Sequence, residues 1–266
     1  MTINTVNTSS LSPILEGQHN FRDLGGLAAG NGFVTRQRLI YRSGDFNSLT
    51  DKDIAVLENI GLARIIDFRS ERERMKRPNR LIPSVRETIH ISINDSSREK
   101  AMEYIARNDA AALESVLISD YRRIIRENQE EYRQFLRELA FSPHVPVVFH
   151  CAAGKDRTGL AAVFLLTALG VDFDSVFDDY VASVIHNAAL TSKLINKINA
   201  RGHNGETIRP LLEVKKEYLD AALDEIRENH GDLYSFVVKN LQADVARLQE
   251  RFLEPSTSAG EFSGRK

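Results

Sequence analysis

Two rhythms of apolar residues alternate along the chain. Short runs are apolar throughout, and longer stretches carry an apolar residue at every third or fourth place. Val147-Val148-Phe149 belongs to the first kind and predicts a central strand buried on both faces. Ala63–Phe68 reads as a second buried strand, and Val85–Ile93, apolar at Val85, Ile89, Ile91 and Ile93, as a third. An Asn31-Gly32 pair between strand-like runs predicts a hairpin, with Phe33-Val34 and Leu39-Ile40-Tyr41 on its second arm. Thr50-Asp51-Lys52-Asp53 looks like a capping box opening a helix to about Asn59, which Gly61 stops.

The second rhythm fills much of the rest. Residues 98–141 are helical in character, with a capping box expected at Asn128 and Glu131 and an apolar stripe at Tyr132, Phe135, Leu136 and Leu139. Pro143 and Pro146 end it. Thr158–Leu169, apolar on every side, predicts a buried helix closed by Gly170. Residues 173–252 read as helices broken at Gly202–Gly205 and Gly231. Strands alternating with helices predict an α/β fold, a small and mostly parallel sheet flanked by helices. The expected layout is one domain over 15–253, an N-terminal extension over 1–14 and a flexible tail over 254–266.

Composition narrows the function. The 266 residues suffice for a core that needs neither disulfide nor structural metal. Lys and Arg number 35 against 37 Asp and Glu, which argues against nucleic-acid binding by overall charge. A single cysteine excludes an intramolecular disulfide and suits a reducing compartment. The polar N-terminus lacks a secretory signal pattern, and the longest apolar stretch, Leu160–Leu169, is too short to span a bilayer. A cytoplasmic protein with no integral membrane segment is expected, export without a classical signal being the alternative. The seven histidines show no metal-ligand spacing, so no metal and no cofactor are expected.

The chemistry concentrates in His150-Cys151-Ala152-Ala153-Gly154-Lys155-Asp156-Arg157-Thr158-Gly159, between the buried strand and the buried helix. In open α/β sheets ligands bind at that crevice. Small residues at Ala152, Ala153 and Gly154 let the loop curl with its amides inward, an anion-binding concavity at a helix N-terminus. Arg157 there can grip two phosphate oxygens. Cys151 is the candidate nucleophile, since loop amides and a cation favour the thiolate. Thr158 can donate to the sulfur, and His150 is expected to fix the loop through neighbouring backbone. A carboxylate must protonate the leaving group. Asp156 inside the loop and Asp67, at the end of the strand expected beside Phe149, are both candidates, although Asp67 could equally pair with Arg69 or cap a helix near Ser70.

With NFRDLGG near the N-terminus, YRS at Tyr41–Ser43, IIDFRS at Ile65–Ser70, Asp178-Asp179-Tyr180 and the EYLDAALDEI helix, this loop resembles that of the bacterial tyrosine/serine protein phosphatases. The resemblance runs from about residue 15 to about 245. It implies a cysteine-phosphatase-like fold, Cys151 as nucleophile, Arg157 as phosphate clamp and Asp156 as the principal acid and base. Lys155 is similar to the extra loop cation of phosphoinositide phosphatases. Phosphorylated proteins or phosphoinositides are the implied partners, and a helical insertion over about Ala101–Ile125 is expected to act as a lid. Arg42 is a further candidate for contact with the phosphate, beside a plainer reading in which Arg22 and Arg42 hydrogen-bond the hairpin. A non-catalytic phospho-ligand module and a rhodanese-like sulfurtransferase are the rival readings.

Overall fold

The structure, a computed structural model, describes residues 13–94 and 103–256. Most of the expected extension and tail, and the first residues of the expected 98–141 stretch and of the lid, lie outside the described residues. The strands are β1 (Arg22–Asp23), β2 (Ala28–Ala29), β3 (Phe33–Thr35), β4 (Ile40–Ser43), β5 (Arg64–Asp67), β6 (Glu87–His90), β7 (Val147–His150) and β8 (Leu253–Pro255). The longer helices are α1 (Asp51–Asn59), α2 (Glu71–Lys76), α3 (Ala110–Glu127), α4 (Gln129–Phe141), α5 (Arg157–Leu169), α6 (Phe173–His186), α7 (Ala188–Asn199), α8 (Lys216–His230) and α9 (Val245–Phe252).

The main sheet has the order β1-β4-β7-β5-β6, parallel except for β1. β7 therefore lies at its centre, and alternation explains its apolar composition. Val147 and Phe149 join Ile40 and Ile66 in the larger core cluster, packed with α4 and α5. Val148 points the other way, to Tyr41, Ile65, Phe21 and Leu57. Each such fully buried side chain contributes roughly 1.5–3 kcal/mol. α5 is enclosed; every residue except Thr167 is buried. Gly170 ends it at φ 81°, a left-handed turn that costs glycine little. α1 opens with the expected box, Thr50 accepting from the Asp53 amide while Asp53 accepts from the Thr50 amide.

Three expectations need correction. The Asn31-Gly32 turn joins β2 to β3, but Leu39–Tyr41 is not on that hairpin; β4 crosses to the main sheet. β8 fills the place instead, pairing Phe33 with Pro255, and the Ser256 amide donates to Gly32 O at 2.8 Å. The first residues assigned to a tail are thus strand, held by backbone hydrogen bonds. Asn128 makes no capping bond. It also closes α3, donating its own amide to Ile124 O, and at φ −118°, ψ 30° its backbone lacks the extended geometry a side-chain cap requires. Among the described residues no helix is long and apolar enough to cross a membrane.

Candidate active site

β7 ends at His150 and α5 begins at Arg157, so the Cys151–Asp156 loop sits at the C-terminal edge of the sheet. Neighbouring segments hold its carbonyls from outside. The Asp45 amide donates to Ala152 O at 3.0 Å. Asn20 Nδ2 donates to Ala153 O at 2.9 Å, with Asn187 Nδ2 at 3.4 Å, and Arg42 Nη2 donates to Gly154 O at 2.9 Å. A peptide carbonyl and the amide that follows it point in opposite directions. The amides of Ala153, Gly154 and Lys155 therefore turn away from these outer partners. Gly154 permits this curl: its φ is +71°, and a Cβ there would lie 2.4 Å from the Ser43 carbonyl.

Behind the loop lies a buried charge network. Asp179 accepts from Arg22 Nε at 2.7 Å and pairs with Arg42 Nη1. Burial works against the charge of Asp179, but the two guanidiniums outweigh it and hold the carboxyl below its usual range. Burial and the like charge of Arg42 bring Arg22 down to about 10. The Arg42 side chain is fully enclosed and spends its bonds on Asp179 and the Gly154 carbonyl. Its bonds thus support the loop from behind, while Arg22 bonds Asn20, Asp179 and Ser183.

His150 lies fully buried beneath Cys151. Burial holds its imidazole below the ordinary histidine value. Its Nδ1 is 2.9 Å from Cys151 O, an acceptor only, so Nδ1 carries the proton and Nε2 accepts from Asn79 Nδ2 at 3.1 Å. Asp67, opposite His150 in the parallel ladder, has no solvent exposure and takes three side-chain bonds from Arg69 at 2.7–3.1 Å. A cleft of about 440 Å³ runs past Asp67, Arg69 and His90, and no residue of the catalytic loop lines it. Asp67 thus anchors Arg69, which reaches Asn79 at 2.9 Å and so the histidine.

The loop cations are already occupied. Glu73 accepts from Arg157 Nη1 at 2.9 Å and Nη2 at 2.8 Å, and Ile93 O lies 3.3 Å from Nη1. Glu73 also accepts from the Ser70 amide in the capping box that opens α2. Burial alone would raise this carboxyl; Arg157 overrides it and brings Glu73 to about 2. Lys155 donates to both oxygens of Asp156, at 2.8 and 2.7 Å, instead of pointing freely into the loop. Tyr121 donates to Asp156 Oδ1 at 2.7 Å. Thr158 Oγ1 is buried and makes no hydrogen bond among the described residues, to the sulfur or otherwise. Cys151 is 2% exposed, whereas the Asp156 side chain is 29% exposed. In this arrangement the sulfur is almost fully covered. α3 touches the loop through Tyr121, but it is packed into the core through Leu113, Leu117 and Ile124 and ion-paired to α8 by Arg126 and Glu225, so it is more than a surface flap.

Asn20, Glu73, Tyr121 and Asp179 were not singled out from sequence. Asn20 and Asp179 lie inside motifs noted only for their resemblance, and Ser70-x-x-Glu73 carries a legible capping-box signal. A cap, however, says nothing of an arginine far along the chain.

A parallel-sheet edge, a loop whose carbonyls are held from outside, a buried cysteine and an arginine opening the following helix make up the candidate site. The chain belongs to the tyrosine phosphatase family, whose model matches residues 13–254. It is 31% identical to a Cupriavidus necator protein assigned as a tyrosine-protein phosphatase, over 88% of this chain and 85% of that one. It is 28% identical to the triple specificity protein phosphatase PtpB of Mycobacterium tuberculosis, over 84% of this chain and 91% of that one.

Proposed function

We propose that the protein hydrolyses phosphomonoesters through a phosphocysteine at Cys151, acting on phosphotyrosine and, with a wider range, on phosphoserine, phosphothreonine and phosphoinositides. The observation that carries this reading is the loop whose carbonyls at 152–154 are all engaged from outside, leaving the amides for a phosphate. The triple specificity in the name of the mycobacterial relative favours the wider range.

In the first step the Cys151 thiolate attacks phosphorus and the P–O bond to the leaving group breaks. Inward amides and Arg157 stabilise charge on the equatorial oxygens. The leaving oxygen takes a proton from Asp156. In the second step water attacks phosphorus, gives its proton to Asp156, and the S–P bond breaks, returning thiolate and releasing phosphate. The buried Thr158 hydroxyl, without a hydrogen-bond partner among the described residues, is available to the departing sulfur. Lys155 keeps Asp156 paired while the loop is empty; an arriving phosphate offers the ammonium a second anion and frees the carboxyl to carry a proton. Asp67, enclosed and bound to Arg69, serves as an anchor and not as the acid.

The test is a pair of variants. Cys151→Ser should abolish turnover of p-nitrophenyl phosphate while inorganic phosphate still binds. Asp156→Asn should cost ~10²–10⁴-fold with alkyl phosphates, the range of a lost general acid. Undiminished turnover by Cys151→Ser would end the reading. Thiocyanate production from thiosulfate and cyanide would favour a sulfurtransferase.

A further inference from the structure

Asp156 sits at the end of a chain of hydroxyls. Tyr180 on α6 donates to the Tyr121 hydroxyl at 2.9 Å, and Tyr121 on α3 donates to Asp156 Oδ1 at 2.7 Å. The direction follows from chemistry, since an ionised carboxylate can only accept. Both tyrosines are buried, and burial first of all holds each phenol well above its ordinary value, so both remain donors. Their rings meet edge to face, with centroids 6.5 Å apart. The Tyr180 ring lies against Gly159, where a Cβ would be only 3.1 Å from it, so the small residue two places after Arg157 admits the chain.

The two oxygens of Asp156 are therefore unequal. Oδ1 receives Tyr121 and Lys155, whereas Oδ2 receives Lys155 alone. When Lys155 turns to a bound phosphate, Oδ1 still has a donor pointed at it and Oδ2 does not. A proton placed on Oδ1 would face the Tyr121 proton, so protonation goes to Oδ2. We infer that Tyr121, backed by Tyr180, is a positioning residue that fixes which oxygen of Asp156 delivers the proton to the leaving group. The inference rests on Asp156 being the acid. A buried hydroxyl chain of this kind strengthens itself by mutual polarisation, so the end next to the carboxylate is worth more than a lone hydrogen bond.

The charge of Asp156 acts on Tyr121 from α3, Tyr132 from α4, Tyr180 from α6 and Tyr218 from α8, and Lys155 and Arg157 flank it in its own segment. Of these, only Tyr121 and Lys155 bond it directly among the described residues. Tyr121→Phe removes one donor to the carboxylate and keeps the ring. Two effects of opposite sense follow. Turnover falls, because the proton is no longer confined to Oδ2. The alkaline limb of the kcat profile moves to higher pH, because the ionised form has lost a donor.

The experiment measures kcat against pH for phenyl phosphate and p-nitrophenyl phosphate with the wild type, Tyr121→Phe, Tyr180→Phe and Asp156→Asn. Tyr121→Phe should lose about tenfold more with phenyl phosphate than with p-nitrophenyl phosphate, since only the poorer leaving group leans on the acid. Tyr180→Phe should show the same selectivity at smaller size, and adding Tyr121→Phe to Asp156→Asn should cost nothing further. Equal loss on both substrates with an unmoved limb, in Tyr121→Phe and Tyr180→Phe alike, would overturn the inference and leave Asp156 as the acid. If Asp156→Asn itself spares phenyl phosphate, the acid assignment falls first, and the inference falls with it.

Discussion

The backbone of the catalytic loop and the cations it carries are secured in different ways. The backbone is tied from outside by the Asp45 amide, Asn20 and Arg42, the last locked by Asp179. The cations are tied by carboxylates, Arg157 by Glu73 on α2 and Lys155 by its neighbour Asp156. The first set fixes the curl of the loop, and under the proposed function that is preorganisation. The second set holds positive charge beside a cysteine that is almost fully buried. Outer contacts should thus govern stability, and inner ones turnover.

The largest effect expected is at Arg42. Arg42→Met should cost about 3–5 kcal/mol, because it strips half the compensation from buried Asp179 and leaves the Gly154 carbonyl without its donor. Urea unfolding measures this, and a variant as stable as wild type would erase the contrast. Next comes Glu73→Gln, which keeps the shape and the cap but removes the charge facing Arg157. Stability should fall, though by less than in Arg42→Met, because buried Arg157 loses its counter-charge, while kcat/KM for p-nitrophenyl phosphate should fall about tenfold as the guanidinium loses its orientation. A rise in kcat/KM would show that Glu73 competes with the substrate instead of aiming the arginine. The smallest effect is a pH dependence. Glu73 and Asp179 have folded-state carboxyls held below their ordinary values, Glu73 at about 2 against 4.5. Their contribution is complete above the ordinary carboxylate range and is lost as pH falls toward the folded values. Urea midpoints should therefore drop between about pH 4.5 and 2, and Glu73→Gln should flatten part of that slope.

The strand–loop–helix unit was legible because its signals are local. Val147–Phe149 could only be an interior strand, Gly170 could only close the helix that precedes it, and loop residues as small as Ala152–Gly154 leave room for a curled backbone. Failures came where one residue served two masters. Asn128 ends one helix while starting another, so its capping letters did not become a cap. For Arg42 the linear pattern leaves hairpin support and phosphate contact both open, because its partner Asp179 is distant in sequence.

Taken alone, the order of residues determined which segment does chemistry, which strand is central and which helix is buried, since periodicity, small side chains and turn residues act over a few positions. Only the tertiary structure decided which charges meet. It set Glu73 on Arg157, Arg69 on Asp67, and two tyrosines from separate helices behind Asp156. The reason is physical: a buried charge or hydroxyl must find a partner wherever packing brings one, and packing joins segments that the linear pattern leaves far apart.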